Sequence, residues 1–193
     1  MKFDLPTLLG MAAQTLRNPR ETAEMILSLG VPRAALLPAL SLVIILTILF
    51  AQVNELLVPA LPDVQFVVSP IVLGFLQLAS LLITVAAIYA IGRACGGTGR
   101  VDEVLLLMIW LQFILLCLQV IQTVLLLVST QMASLVAIVS VVLFLFLLTH
   151  FVAVVHGFQS LGKVFFNILA SAIGLALGLS IILAFLGVSI PVV

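Results

Sequence analysis

Apolar residues fill five long runs of this chain, and polar residues gather in the short joints between them. Span one reaches from about Ala35 to Leu57, span two from Pro70 to Gly92 and span three from Asp102 to Val128. Span four follows from Met132 to Val155 and span five from Lys163 to Gly187. Each is long enough for a helix to cross a hydrocarbon core of roughly 30 Å, which takes about 20 residues. Span three would measure about 40 Å, so it must tilt or protrude. Ser129-Thr130-Gln131 is a weak breaker between spans three and four. Length settles the turn there, because one helix from Asp102 to Val155 would be about 80 Å of apolar surface. Ser129 or Thr130 can cap the returning helix, and Ser69 can cap span two. Pro38 lies near the start of span one, where a missing donor costs little.

The first 33 residues have a different pattern. Asp4 can cap a short helix with Leu5, Leu8, Leu9, Ala12 and Leu16 on one face. Asn18-Pro19-Arg20-Glu21 reads as a second start, with Asn18 as cap, Pro19 at the first helical position and Glu21 as capping-box partner. Ala23, Ile26, Leu27 and Leu29 make the apolar stripe, which Gly30 and Pro32 end. Two readings stand side by side for this segment. With Arg17, Arg20 and Arg33 it suits the headgroup region of an anionic membrane, or it packs on its own domain. The apolar patch Leu8 to Ala13 is short and runs into charges, so it does not read as a cleavable signal. The expected fold is therefore an all-α membrane protein. It has an amphipathic helical segment at 1–33, a five-transmembrane-helix bundle at 34–187 and an outer tail at 188–193.

Composition agrees. The chain is 65% hydrophobic and 7% charged, against roughly 25% charged in soluble domains. Too few polar residues remain to cover a soluble core. The formal net charge is zero, which leaves no basic field for nucleic acid. Lys2, Arg17, Arg20 and Arg33 precede span one, Arg93 and Arg100 lie between spans two and three, and Lys163 opens span five. Five crossings put all of these cations on one side, which the positive-inside rule makes cytoplasmic. The N-terminus is then expected inside and the C-terminus outside.

Candidate chemistry is sparse. No span carries Asp, Glu, Lys or Arg near its middle, where proton-coupled transporters usually keep one. Gln112, Gln119 and Gln122 share one face of span three. They can serve interhelical hydrogen bonds or a polar seam for an ion or lipid headgroup. Ala170, Gly174 and Gly178 stand at four-residue spacing on span five, a face for close helix packing with the same chain or a second copy. His150 and His156 are about 9 Å apart along a helix and about 120° apart around it, poor geometry for one metal. A structural or interfacial role suits them better. Cys95 and Cys117 would lie about 22 Å apart along the axis, and a disulfide needs Cα atoms within about 7 Å. The Gly96-Gly97-Thr98-Gly99-Arg100 loop can form a backbone nest for phosphate or simply a tight joint; it is not a Walker loop. Trp110 suits an interface anchor and a packed core equally.

Gly96-Gly97-Thr98-Gly99 opening span three, the five-span layout, and Val155-His156-Gly157-Phe158 with Lys163 opening span five together resemble the Yip1 family of membrane proteins, in a bacterial version. The resemblance covers roughly residues 34 to 187 and implies a cytoplasmic segment ahead of them. Family members often have a proline along span three, whereas Trp110-Leu111-Gln112-Phe113 continues without one. The resemblance implies vesicle traffic and Rab-type GTPases for eukaryotic members, a function that does not carry over to bacteria.

The functional expectation is a non-enzymatic membrane scaffold without cofactor or metal. Arg93, Gly96, Gly97, Arg100, His156 and Lys163 are its candidate contacts to anionic lipid headgroups or to a protein partner. Gly174, Gly178, Gln112 and Gln119 are its candidate helix-packing residues. The alternative is a small transporter, channel or lipid scramblase that uses the glutamine face.

Overall fold

The computed structural model describes residues 4–57 and 69–185, all of whose regular structure is helical. The joint holding Pro59, Pro62 and Asp63 and the tail at 188–193 lie outside the described residues, as do the surroundings of Gly178. The elements are α1 (Leu5–Arg17), α2 (Pro19–Ser28), α3 (Arg33–Leu57), α4 (Pro70–Ala94), α5 (Val101–Leu126), α6 (Thr130–His156) and α7 (Leu161–Phe185). Four of them, α3 to α6, are long and apolar enough to cross a membrane. In α7 the apolar stretch that can be assessed is the shorter Leu161–Gly174.

The local rules place these elements well. Ser69 caps α4, its hydroxyl accepting from Val72 N–H at 3.3 Å. Glu103 reaches back to accept the Arg100 N–H at 2.9 Å at the head of α5. Without an internal proline, α5 is one continuous helix. The turn between α5 and α6 falls at Leu127–Ser129, where length demanded it. Helix α3 starts at Arg33 and carries Pro38 through without a break.

The packing is centred on α5, which lies against α3 on one side and α6 on the other. Leu107, Leu111, Leu147, Phe151 and Leu40 are fully buried at this junction. Helices α3 and α5 run in parallel, with Gln119 donating to the Thr47 carbonyl at 3.2 Å. The heads of the same two helices are joined by the Arg33–Asp102 ion pair. The ends of α4 and α6 meet where Gly92 touches His156, and the start of α7 meets the end of α4 where Asn167 touches Cys95. One end of the bundle therefore gathers Arg33, Arg93, Arg100 and Lys163, and is called the basic end here.

The N-terminal segment packs on this bundle. Helices α1 and α2 form a hairpin, and α2 rests on α5 and α6. Met11, Ala12, Thr15, Thr22, Ala23 and Ile26 are buried. On the expected apolar face of α1, Leu5, Leu9 and Leu16 are exposed and Ala12 is buried. The side packed on the bundle carries Met11, Ala12 and Thr15, with Leu8 half-buried beside them, and a demand from α5 sets it. The Trp110 indole N–H is buried and needs an acceptor, and it donates to Thr15 Oγ1 at 3.0 Å. The capping box expected from Asn18 and Glu21 does not form, and neither Asp4 nor Asn18 caps through its side chain. The Asn18 carbonyl instead accepts from Thr22 N–H and from its hydroxyl, at 3.1 and 2.9 Å.

Candidate functional site

The joints at the basic end begin with two helix C-termini, and the last carbonyls of a helix have no partner inside it. At the end of α4, Gly97 N–H donates to Gly92 O at 2.8 Å and Gly96 N–H to Arg93 O at 3.0 Å. At the end of α6, Phe158 N–H donates to Ala153 O at 2.8 Å and Gly157 N–H to Val154 O at 3.3 Å. Both ends are Schellman motifs, each with a left-handed glycine: Gly96 at φ 87° and Gly157 at φ 73°. The two caps are also bonded to each other, since Thr98 N–H donates to the His156 carbonyl at 3.4 Å.

The His156 ring is what the joints close around. It is 2% exposed. A methyl group added at Gly92 would overlap its Nε2, and one at Gly97 would lie 2.6 Å from its Cβ. One at Gly99 would overlap Val155 and crowd the ring from a third side. Phe158 stacks on the ring at a centroid distance of 5.5 Å and 12° between planes. Nδ1 lies 3.1 Å from the Val152 carbonyl. A carbonyl can only accept, so Nδ1 carries a proton and the neutral ring presents Nε2 as a bare acceptor. Nε2 is buried and makes no hydrogen bond. The glycines are thus a cradle shaped to an imidazole, and they fasten the loop at 92–100 to the end of α6.

Charge sits around this cradle. Asp102 pairs with Arg33 and lies 3.7 Å from Arg100. Arg93 Nη1 donates to the Gly97 carbonyl at 3.4 Å. Lys163 is exposed on the first turn of α7, and among the described residues neither it nor Arg93 is in an ion pair. No three His, Cys, Asp or Glu side chains among the described residues are grouped to hold a metal. The lone cysteine at the cradle's edge, Cys95, is a free thiol.

This geometry joins the two sequence segments quoted above, Gly96-Gly97-Thr98-Gly99 and Val155-His156-Gly157-Phe158, in a single structural unit. A family model described as the Yip1 domain matches residues 13–188. The chain belongs to the Yip1 family. No curated protein and no solved structure matches it. The Yip1 match begins inside α1, earlier than residue 34, which agrees with a hairpin built into the bundle through Thr15 and Trp110.

The expected site residues fall into two sets. Arg93, Gly96, Arg100 and Lys163 lie exposed at the basic end, whereas His156 and Gly97 are buried and shape that end from within. The three glutamines are separated in role: Gln119 bonds to α3, while Gln112 and Gln122 are half-buried and make no such link among the described residues. Gly174 is exposed, and a methyl there would meet nothing within 4 Å. His150 is remote from the cradle in role, lying 2.8 Å from the Phe146 carbonyl and tilted on the Phe146 ring. Sequence reasoning missed Gly92, Gly99 and Phe158 as partners of His156. The paired motifs at the two joints were the available signal.

Proposed function

We propose that this Yip1-family membrane protein is a non-enzymatic scaffold whose basic end recruits a protein partner at the cytoplasmic surface of a bacterial inner membrane. In this reading α7 is the fifth crossing: at 25 residues it measures about 37 Å if it continues straight. Five crossings put every cation on the N-terminal side, which is then cytoplasmic.

One observation carries the reading. The cradle around His156 fastens two joints into a single surface, Trp110–Thr15 seats the N-terminal hairpin beside it, and Arg33–Asp102 ties the head of α3 to that of α5. A surface held this way is pre-organised, so a partner meets Arg93, Arg100 and Lys163 without first ordering them. The buried imidazole at the centre of the cradle is walled in by backbone and by Phe158, so it serves the joints rather than the open surface. The glutamine face favours no second reading, since Gln119 is used to join α3 to α5.

Crosslinking in native membranes, followed by mass spectrometry, tests the proposal. Partner crosslinks should centre on residues 93–103 and 160–163 and be lost in Arg93→Ala/Arg100→Ala. Crosslinks unchanged in that variant would refute it. Cysteines placed at Thr98 and Val192 in a cysteine-free background test the threading, with labelling expected from opposite sides. Ion flux or lipid flip by the reconstituted protein would favour the transport alternative.

A further inference from the structure

Helix α1 carries more apolar surface than the bundle covers. At about 100° per residue, Leu8, Met11, Ala12 and Thr15 fall on the side packed against the bundle. Leu5, Leu9 and Leu16 form a second stripe, turned about 90° from the first, and are 63%, 45% and 42% exposed. Gln14, also exposed, stands roughly opposite that stripe. Helix α2 has no such stripe. Its exposed residues are Arg20, Glu21, Glu24 and Ser28, and Arg20 pairs with Glu24 at 3.2 Å. One helix of the hairpin therefore bares leucines and the other bares charges.

The place of the hairpin on the bundle says what meets the leucines. Leu107, Met108, Ile109, Trp110 and Leu111 are all buried, and consecutive positions in such a run reach all the way round a helix of about 3.6 residues per turn. That stretch of α5 therefore has neighbours on every side, and α2 is one of them beside α3, α4 and α6. The hairpin stands at the flank of a spanning helix rather than above its end. Its depth is set by the Thr15–Trp110 hydrogen bond at 3.0 Å. From Val101 to Trp110 the axis rises about 14 Å. The 26 residues of α5 measure about 39 Å, about 9 Å more than a hydrocarbon core of roughly 30 Å. With all of that excess at the basic end, Trp110 still lies about 5 Å inside the core. A helix lying at the boundary of headgroups and acyl chains buries its apolar face about 5–10 Å deep. The geometry points to α1 as an interfacial anchor, whose Leu5, Leu9 and Leu16 insert among the acyl chains of the leaflet at the basic end while Gln14 and the charges of α2 face water. The driving force is apolar, since Glu21 and Glu24 balance Arg17 and Arg20 within the hairpin. Such an anchor goes beyond the scaffold proposed above and needs no protein partner.

Nitroxide collisions with oxygen, which concentrates in hydrocarbon, and with a water-soluble nickel chelate test this on the full chain in phosphatidylcholine nanodiscs. The labelled sites are Leu5→Cys, Leu9→Cys, Leu16→Cys, Gln14→Cys and Glu24→Cys, each alone in a chain carrying Cys95→Ala and Cys117→Ala. Val139→Cys, exposed on α6 within its span, is the lipid reference. The oxygen-to-nickel ratio at 5, 9 and 16 should equal that at 139 and should invert at 14 and 24. Nickel collisions prevailing at 9 and 16 would overturn the anchor by placing the stripe in water. Shielding from both reagents there would overturn it too, by showing that a second copy or another protein covers the leucines. The unsubstituted chain gives an independent reading. A phosphatidylcholine with a photoactivatable group in its acyl chain should label α1 at 5–16 and spare α2 at 20–28; labelling confined to α3 to α7 refutes the anchor. Labelling should be the same in phosphatidylglycerol, and a severalfold gain there would refute its apolar origin. Protein crosslinks at 93–103 are a separate readout, so the scaffold and the anchor stand or fall independently.

Discussion

The two ends of the bundle are built on different terms. At the basic end, α5 buries Val104, Leu107, Met108, Trp110, Leu111 and Ile114, and α6 buries Leu147, Phe151, Val152, Val155 and His156. At the opposite end the same two helices and the turn between them expose Val124, Leu127, Val128, Leu135, Ile138, Val141 and Val142, with Thr123 and Ala133 the buried exceptions. The difference follows from the solvent. Lipid tails are as apolar as leucine, so an outward-facing valine in the bilayer gains little from being covered. Backbone that leaves a helix gains much, because its N–H and C=O groups need partners wherever water is scarce. The basic end carries three joints and the docked hairpin, and that is where close packing and the interlocked caps occur.

The sharpest way to break this comparison is Gly92→Ala. Its methyl would enter the His156 ring, and overpacking of a tight core costs typically 1–3 kcal/mol and sometimes more. We expect about 3 kcal/mol, measured by unfolding in detergent micelles. Adding His156→Ala should recover part of that loss, giving a clear coupling in the double-mutant cycle. If the two losses simply add, the ring and the glycine are not one unit. Next in size is Thr15→Val, which keeps the shape but leaves the buried Trp110 N–H without its acceptor. A cost of about 1–3 kcal/mol is expected, together with faster proteolysis within the first 30 residues. Gln119→Leu should cost about 0.6 kcal/mol, the average for a hydrogen bond between membrane helices. At the opposite end, Val141→Ala and Leu135→Ala should each stay within about 0.5 kcal/mol. Values above 2 kcal/mol there would show that a partner or second copy covers that end.

Much of this was legible in the sequence and some was not, for physical reasons. Apolar run length located α3 to α6, and it located the turn at Leu127–Ser129 even though Ser129-Thr130-Gln131 is a poor breaker. Charge grouping located the joints. Which positions of α1 pack on the bundle was not legible, because periodicity ranks side chains by hydrophobicity, and a buried threonine answering an indole N–H is invisible to it. The pairing of Gly92, Gly97 and Gly99 with His156 was equally hidden. Each glycine made local sense as part of a joint, and the ring that requires them stands more than fifty residues away. Arg33 was read as a headgroup cation and Asp102 as no more than the start of span three, before the fold joined them.

Gly92 and Gly96 are four residues apart and fail as side-chain positions for opposite reasons. Gly92 has helical backbone angles and no room. Gly96 has open space, but at φ 87° its backbone disfavours an L side chain. Position 96 is therefore selective for handedness. In a chemically ligated protein, D-alanine there should be tolerated and should stiffen the joint, whereas L-alanine should strain it.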